Sequence, residues 1–180
     1  RNLFRRFVRN PQRKQRNNMT SYSVIYDRFK HRVEEDPDFF SYLNTLPEIS
    51  DYIVEQRCAA LLQEAVAMFR LACPPKVDLD TVSEDGKGFA SDLNNDEIHI
   101  LSSLMFEQYL ERGIAKLRLL NVNYTSTDLR VFDPSNARET FQAMYDDVHV
   151  HNEALIDMYK NSDRDKGGYI GIYFSEYENY

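Results

Sequence analysis

Between Pro47 and the Pro74-Pro75 pair lies a single long segment whose apolar residues repeat at helical spacing, and this segment constrains the fold more than any other. Ile53, Leu61, Leu62, Ala65, Val66, Met68, Phe69 and Ala72 form one wide stripe, which predicts a helix from Pro47 or Ser50 to Ala72 or Cys73. Proline is tolerated in a first helical turn and ends a helix where it follows one, so both boundaries have a physical cause. A stripe this wide implies burial against more than one neighbour, and hence a bundle.

Three further segments carry the same period. Tyr22, Ile25, Tyr26, Phe29 and Val33 predict a first helix from an N-cap at Thr20 or Ser21 to about Glu35, stopped by Asp36-Pro37. Ile98, Leu101, Leu104, Met105, Tyr109, Ile114 and Leu117 predict a third helix. Asn94 and Glu97 have the spacing of a reciprocal capping box at its start. Asp133-Pro134 opens a fourth, with Phe141, Met144, Tyr145, Val148, Leu155, Met158 and Tyr159 in phase to about Asn161. The aromatic connector around Phe39 and Phe40 has no assignable conformation, and Val77 to Asp92 reads as an acidic loop with one short extended piece at most. Its acids Asp78, Asp80, Glu84 and Asp85 are expected to be exposed.

The expected fold is therefore mostly α: a bundle of about four helices over 19–165, an extended basic arm at 1–18 and a strand-like aromatic tail at 166–180. The apolar fraction of 42% in 180 residues is enough for a core. Residues Arg1 to Asn18 hold seven Arg/Lys and no acid, leaving 15 basic against 29 acidic residues in the remainder. Such asymmetry marks an interaction arm. Leu3, Phe4, Phe7 and Val8 fall on one face of it and Arg5, Arg6 and Arg9 on the other, which favours docking on protein over charge-only binding to nucleic acid. The tail segment Tyr169 to Phe174 alternates like a strand, and it is expected to pair with a different chain. Tyr169, Tyr173, Phe174 and Tyr177 are its candidate contact residues.

Catalytic signatures are scarce. No phosphate-binding glycine loop, Cys-x-x-Cys, His-Glu-x-x-His or nucleophile elbow occurs. The closest approach to a metal motif is a pair of Asp-x-x-His spacings, Asp96 with His99 and Asp146 with His149; paired helices can build di-iron sites in this way. An acid in a first helical turn has a simpler role towards the helix dipole, and no metal or other cofactor is expected. His149 and His151 are expected to be solvated. Cys58 and Cys73 lie about 20 Å apart on one helix and read as buried, unbridged hydrophobes. No stretch approaches a membrane span, and no apolar segment of signal-peptide type follows the basic start, which predicts a soluble chain with no membrane partner.

Three segments resemble a known family. Met19-Thr-Ser-Tyr-Ser-Val-Ile-Tyr-Asp-Arg-Phe29 is similar to the opening of the head–tail connector, or neck adaptor, proteins of tailed bacteriophages that infect Gram-positive bacteria. Phe89-Ala-Ser-Asp-Leu-Asn-Asn-Asp-Glu-Ile-His-Ile-Leu101 resembles the start of their central helix. Asp128-Leu-Arg-Val-Phe-Asp-Pro-Ser-Asn-Ala137 resembles the start of their last long helix. The likeness spans about Met19 to Asn161, and both the basic arm and the tail depart from it. It implies a non-enzymatic virion protein, assembled in the host cytoplasm, that forms a twelve-fold homo-oligomeric ring below the portal protein. Such a ring contacts the next neck or tail-completion protein and extends the channel through which DNA passes without specific binding. A DNA-binding or packaging accessory protein using the basic arm is the alternative, and a helical metalloenzyme the third possibility.

Overall fold

The structure, a computed structural model, describes residues 19–33, 37–40, 46–123, 134–165, 168 and 170. In chain order the elements are β1 (Thr20–Ser21), α1 (Tyr22–Lys30), α2 (Pro37–Phe40), α3 (Pro47–Ala72), β2 (Gly88–Phe89), α4 (Asn95–Asn123) and α5 (Pro134–Lys160). The chain is mostly helical, as the periodicity predicts. Among the described residues no helix is long and apolar enough to cross a membrane.

The three long helices run antiparallel in sequence order. Moving up α3 matches moving down α4: Gln108 meets Met68, and Arg112 pairs with Glu64 at 2.8 Å. Along α5 the partners on α4 likewise descend, Phe141 lying on Gly113, His149 on Glu107 and Tyr159 on Glu97. The short α1 lies on the first half of α4, with Arg28 bonded to Asn95 and Arg32 to Ser103. Ile25 and Phe29 of α1, Leu61, Ala65 and Phe69 of α3, Leu101, Leu104 and Met105 of α4 and Ile156 of α5 make the shared core. Each such large apolar side chain contributes about 1.5–3 kcal/mol when fully buried.

Phe39 on the single turn α2 is buried edge-on against Phe29 and Tyr109, which gives the aromatic connector a place in the core. Cys58 and Cys73 are buried and unbridged, and burial pushes the Cys58 thiol up to about 11. Val54 and Cys58 join the buried face of α3, whereas Ala72, which fits the apolar period, is exposed.

Two features at the start of the fold also differ from expectation. The first helix ends at Lys30, not near Glu35: the N–H groups of Arg32 and Val33 bond the carbonyls of Phe29 and Lys30, a tighter turn that drops Val33 into the core. Thr20 and Ser21 are also more than a helix cap. Ser21 does accept from the Ser23 N–H, but both residues pair antiparallel with β2, Thr20 opposite Phe89 and Ser21 opposite Gly88. A Cβ at residue 88 would lie 2.4 Å from the Thr20 carbonyl oxygen, so only glycine admits this pairing. Thr20 also ties the loop to α4, its hydroxyl accepting from the Leu93 N–H at 2.8 Å.

The loop before β2 exposes Asp78, Asp80, Glu84 and Asp85, as charge and turn chemistry predict. Gly86 closes its tip at φ +70°, a conformation in the left-handed region. Asp78 accepts from the Asp80 and Thr81 N–H groups and the Thr81 hydroxyl, and Asp85 from Ser83 and the Lys87 N–H. These bonds hold both carboxyls below the usual carboxylate range.

Where α4 and α5 extend past the core, Gly113 lets them approach closely. A Cβ there would sit 2.8 Å from Phe141 Cε1. Gly113→Ala gains about 1 kcal/mol of helix propensity but must displace the ring, and overpacking costs roughly 1–3 kcal/mol. Net destabilisation is expected in the wild-type background, and stabilisation in a Phe141→Ala background. A denaturant double-mutant cycle checks this; equal effects in both backgrounds would show that the helices do not meet here.

Candidate functional site

Two carboxylates on α4, Glu97 and Glu107, are wholly buried at its interface with α5. A buried charge is costly unless it is fully bonded, so what surrounds each one indicates its use.

Glu97 stands in the first turn of α4 because Asn94 caps that turn. The Glu97 N–H donates to Asn94 Oδ1 and the Asn94 N–H to Glu97 Oε2, each at 2.8 Å, which is the reciprocal box the spacing predicts. The same carboxylate takes the Tyr159 hydroxyl at 2.9 Å and Arg164 Nε and Nη2 at 2.7 and 3.1 Å. Arg164 Nη2 also donates to the Asp92 carbonyl at 2.5 Å. Burial, reinforced by Glu97, raises the Tyr159 hydroxyl well above its ordinary value, so it stays a donor. That hydroxyl in turn accepts from the Lys76 N–H at 3.0 Å. Lys76 Nζ lies 4.8 Å over the Tyr159 ring and donates to the carbonyls of Tyr159, Lys160 and Ser162. A cation there satisfies the open carbonyls at the end of α5 and complements the helix dipole. The cluster joins the start of α4, the end of α5 and the loop after α3, and it works as a latch.

Glu107 lies three turns further along α4. Its Oε2 accepts from Asn152 Nδ2 at 2.6 Å and its Oε1 bonds His149 Nδ1 at 2.8 Å. Asn152, itself buried, also reaches the Ser103 carbonyl at 3.4 Å. The Glu107 bond raises the His149 pKa above the ordinary histidine value, burial opposing it. His149 therefore does more than sit in solvent: its far nitrogen faces water and Glu153, while its near nitrogen holds the buried acid. Glu107 follows Leu104 and precedes Leu110 by one helical step each, so an acid on the apolar face was visible in the sequence. Its partners, 42 and 45 residues away, were not.

The two Asp-x-x-His pairs take separate places. Asp96 and His99 border a cavity of about 160 Å³ with Ile100, Leu155, Met158, Tyr159, Ser162 and Gly168. Asp146 accepts from Gln142, and His149 holds Glu107. Among the described residues no group of three or more His, Cys, Asp and Glu side chains is placed to hold a metal ion. The expected arm contacts Leu3, Phe4, Arg5, Arg6, Phe7, Val8 and Arg9 lie outside the described residues, as do Tyr169, Tyr173, Phe174 and Tyr177 of the tail. Of the tail segment expected to pair with another chain, Ile170 is described, and its N–H donates within the chain to the Asn161 carbonyl at 2.7 Å.

Large apolar side chains are exposed at the end of the bundle where α3 begins and α4 finishes. Leu46, Ile49 and Tyr52 follow one another at three-residue steps, with Tyr52 62% exposed, and Leu119 at 64% stands near the end of α4. Helical residues three apart are surface neighbours, so Ile49 and Tyr52 form one apolar strip. No family model, curated protein or solved structure matches the chain.

Proposed function

We propose that this chain is a virion structural protein, a head–tail connector adaptor that forms a ring below the portal protein and extends the DNA channel towards the tail. The observation that carries the proposal is the exposed strip of Leu46, Ile49 and Tyr52 with Leu119 at the same end of the bundle. Contiguous apolar surface on a folded body marks a protein contact. The buried polar groups are consistent with such a role, since Glu97, Tyr159, Arg164 and Glu107 are occupied in holding helices to one another. An acidic body also suits a channel wall, because like charge lets phosphate pass without holding it. The three segments that resemble connector proteins lend the specific identity. On this reading the partners are further copies of the chain, the portal protein and the next neck or tail-completion protein, and the location is the neck of the virion.

Native mass measurement of the purified chain, alone and with a portal ring, tests the proposal. A ring-sized species is expected. Leu46→Ser, Ile49→Ser and Tyr52→Ser together should give a monomer of unchanged helix content. Phe4→Ala with Phe7→Ala should impair attachment to the portal at least as much as Arg5→Gln with Arg6→Gln. A chain that stays monomeric in both settings sinks the connector reading, and binding to duplex DNA that depends on the arginines alone favours the DNA accessory.

A further inference from the structure

Within its acidic body the protein gathers cations at one place. Arg28 stands on α1 and Arg32 in the turn just past its end, four residues on, and each like charge disfavours the other. Arg28 donates to the carbonyl and the side-chain oxygen of Asn95, at 3.3 and 2.8 Å, and Arg32 to the hydroxyl of Ser103 at 2.9 Å. All three acceptors are neutral. Among the described residues neither guanidinium has a carboxylate within ion-pair distance, whereas Arg70, Arg112 and Arg164 each have one.

The register then places a third group between them. Asn95, His99 and Ser103 follow at four-residue steps and so share one stripe of α4. With Arg28 fixed to the first and Arg32 to the last, His99 lies between the two arginines. From the other side α5 brings His151, whose ring meets the His99 ring edge-on at 6.5 Å between centroids. Four nitrogen-rich side chains, from α1, the turn after it, α4 and α5, thus border one stripe of α4. Burial and then Arg32, Arg28 and His151 push the His99 pKa down, and among the described residues Asp96 acts against them. Arg32 is half-buried, so burial and Arg28 both weigh against its charge.

Guanidinium groups whose partners among the described residues are neutral are stabilised when an anion joins them. We infer that Arg28, Arg32, His99 and His151 form a binding site for an oxyanion of the phosphate class. The donors suit it. A guanidinium carries five N–H groups; Arg28 uses two nitrogens and Arg32 one on the acceptors named above, which leaves N–H groups of each for a ligand. Phosphate presents several acceptor oxygens and enough charge to answer two guanidinium groups, which one carboxylate does not. The two arginines are also prepositioned by Asn95 and Ser103, so little side-chain freedom remains to be lost on binding. The site is independent of the connector reading, and either can fail without the other.

The test is an NMR titration of the histidine ring protons of the full chain with inorganic phosphate at constant ionic strength, chloride serving as control. The expected result is a saturable shift of the His99 and His151 signals and a rise in the His99 titration midpoint, with little change at His149. Arg28→Gln with Arg32→Gln should weaken phosphate binding roughly tenfold or more, as loss of charge-assisted hydrogen bonds requires. His151→Gln, at an exposed position, should weaken it several-fold with the fold intact and serves if the arginine variant does not fold. A short DNA duplex added as competitor identifies the source: displacement of phosphate assigns the site to a nucleic-acid backbone, and no displacement to free phosphate. Equal responses to phosphate and chloride, or unchanged binding in the His151→Gln and double arginine variants, would overturn the inference.

Discussion

Replacing Glu97 by Ala should destabilise the chain by roughly 3–5 kcal/mol, the cost of breaking a buried ion pair by removing one partner. Three groups lose their acceptor at once. The Asn94 N–H becomes an open donor at the start of α4, the Tyr159 hydroxyl loses the acceptor for its proton, and Arg164 keeps its charge beside a gap. Because Tyr159 also receives the Lys76 N–H, the disturbance passes to the end of α5. Glu97→Gln should cost less, about 1–3 kcal/mol, since the amide oxygen can still accept from either Asn94 or Tyr159, although its NH2 then meets the other donor and the charge of Arg164 is no longer balanced. Urea unfolding with an unchanged slope is the measurement. A Glu97→Ala variant within about 1 kcal/mol of the wild type would mean that the latch does not hold α4 and α5 together.

How much of this could be read from the chain alone follows the distance over which each interaction acts. The Asn94–Glu97 box spans three residues, and it stands where the spacing places it. Pro47, Pro74 and Pro134 act on their own backbones, so the ends of α3 and the start of α5 were legible too. The second role of Glu97 was not, because Arg164 lies 67 residues away and nothing local distinguishes a capping acid from one that also anchors an arginine. Lys76 closes a helix that ends 84 residues later, and nothing in its own segment marks it for that. The pairing of Thr20–Ser21 with Gly88–Phe89 escaped for a different reason: two residues are too few for strand alternation to show.

The same distinction applies to the candidate sites. Apolar period marks which residues face inward, but the exposed strip at Leu46, Ile49 and Tyr52 has the same residue types as a core face. Only the positions of the neighbouring helices reveal it as surface. The cluster of Arg28, Arg32, His99 and His151 likewise joins three segments of the sequence, and nothing within any one of them shows that it meets the others. Amphipathic arms and aromatic tails announce themselves locally, and sites assembled across helices do not.

Stability should fall as pH rises above about 6.5, and Glu107 should be the reason. His149 has a folded-state pKa above its unfolded value of about 6.5, because it bonds the Glu107 carboxylate. A raised pKa means that the folded state binds more protons than the unfolded state between those two values. The contribution is therefore complete below about pH 6.5 and is lost as pH rises through the folded pKa. The groups around His149 agree with this direction: Glu107 from α4, with Glu153 and Asp146 on its own helix, all favour the imidazolium. The His149 side chain is 44% exposed, so solvent screens the pair and the effect is moderate. His99 acts oppositely. Its folded pKa is lowered, so its contribution is complete above about pH 6.5 and falls away as pH drops through the folded value. Together the two histidines predict a stability maximum near pH 6.5, with separate residues responsible for each flank. Glu107→Gln should flatten the alkaline flank and leave the acid flank in place, because it removes the charge that His149 answers but keeps an acceptor for Asn152. His149→Gln should flatten the same flank, and His99→Gln the opposite one. Urea midpoints at pH 5, 6.5 and 8 for the wild type and the three variants decide the matter. An alkaline flank that persists in both Glu107→Gln and His149→Gln would mean that some other group titrates there and that the Glu107–His149 bond does not secure α5 on α4.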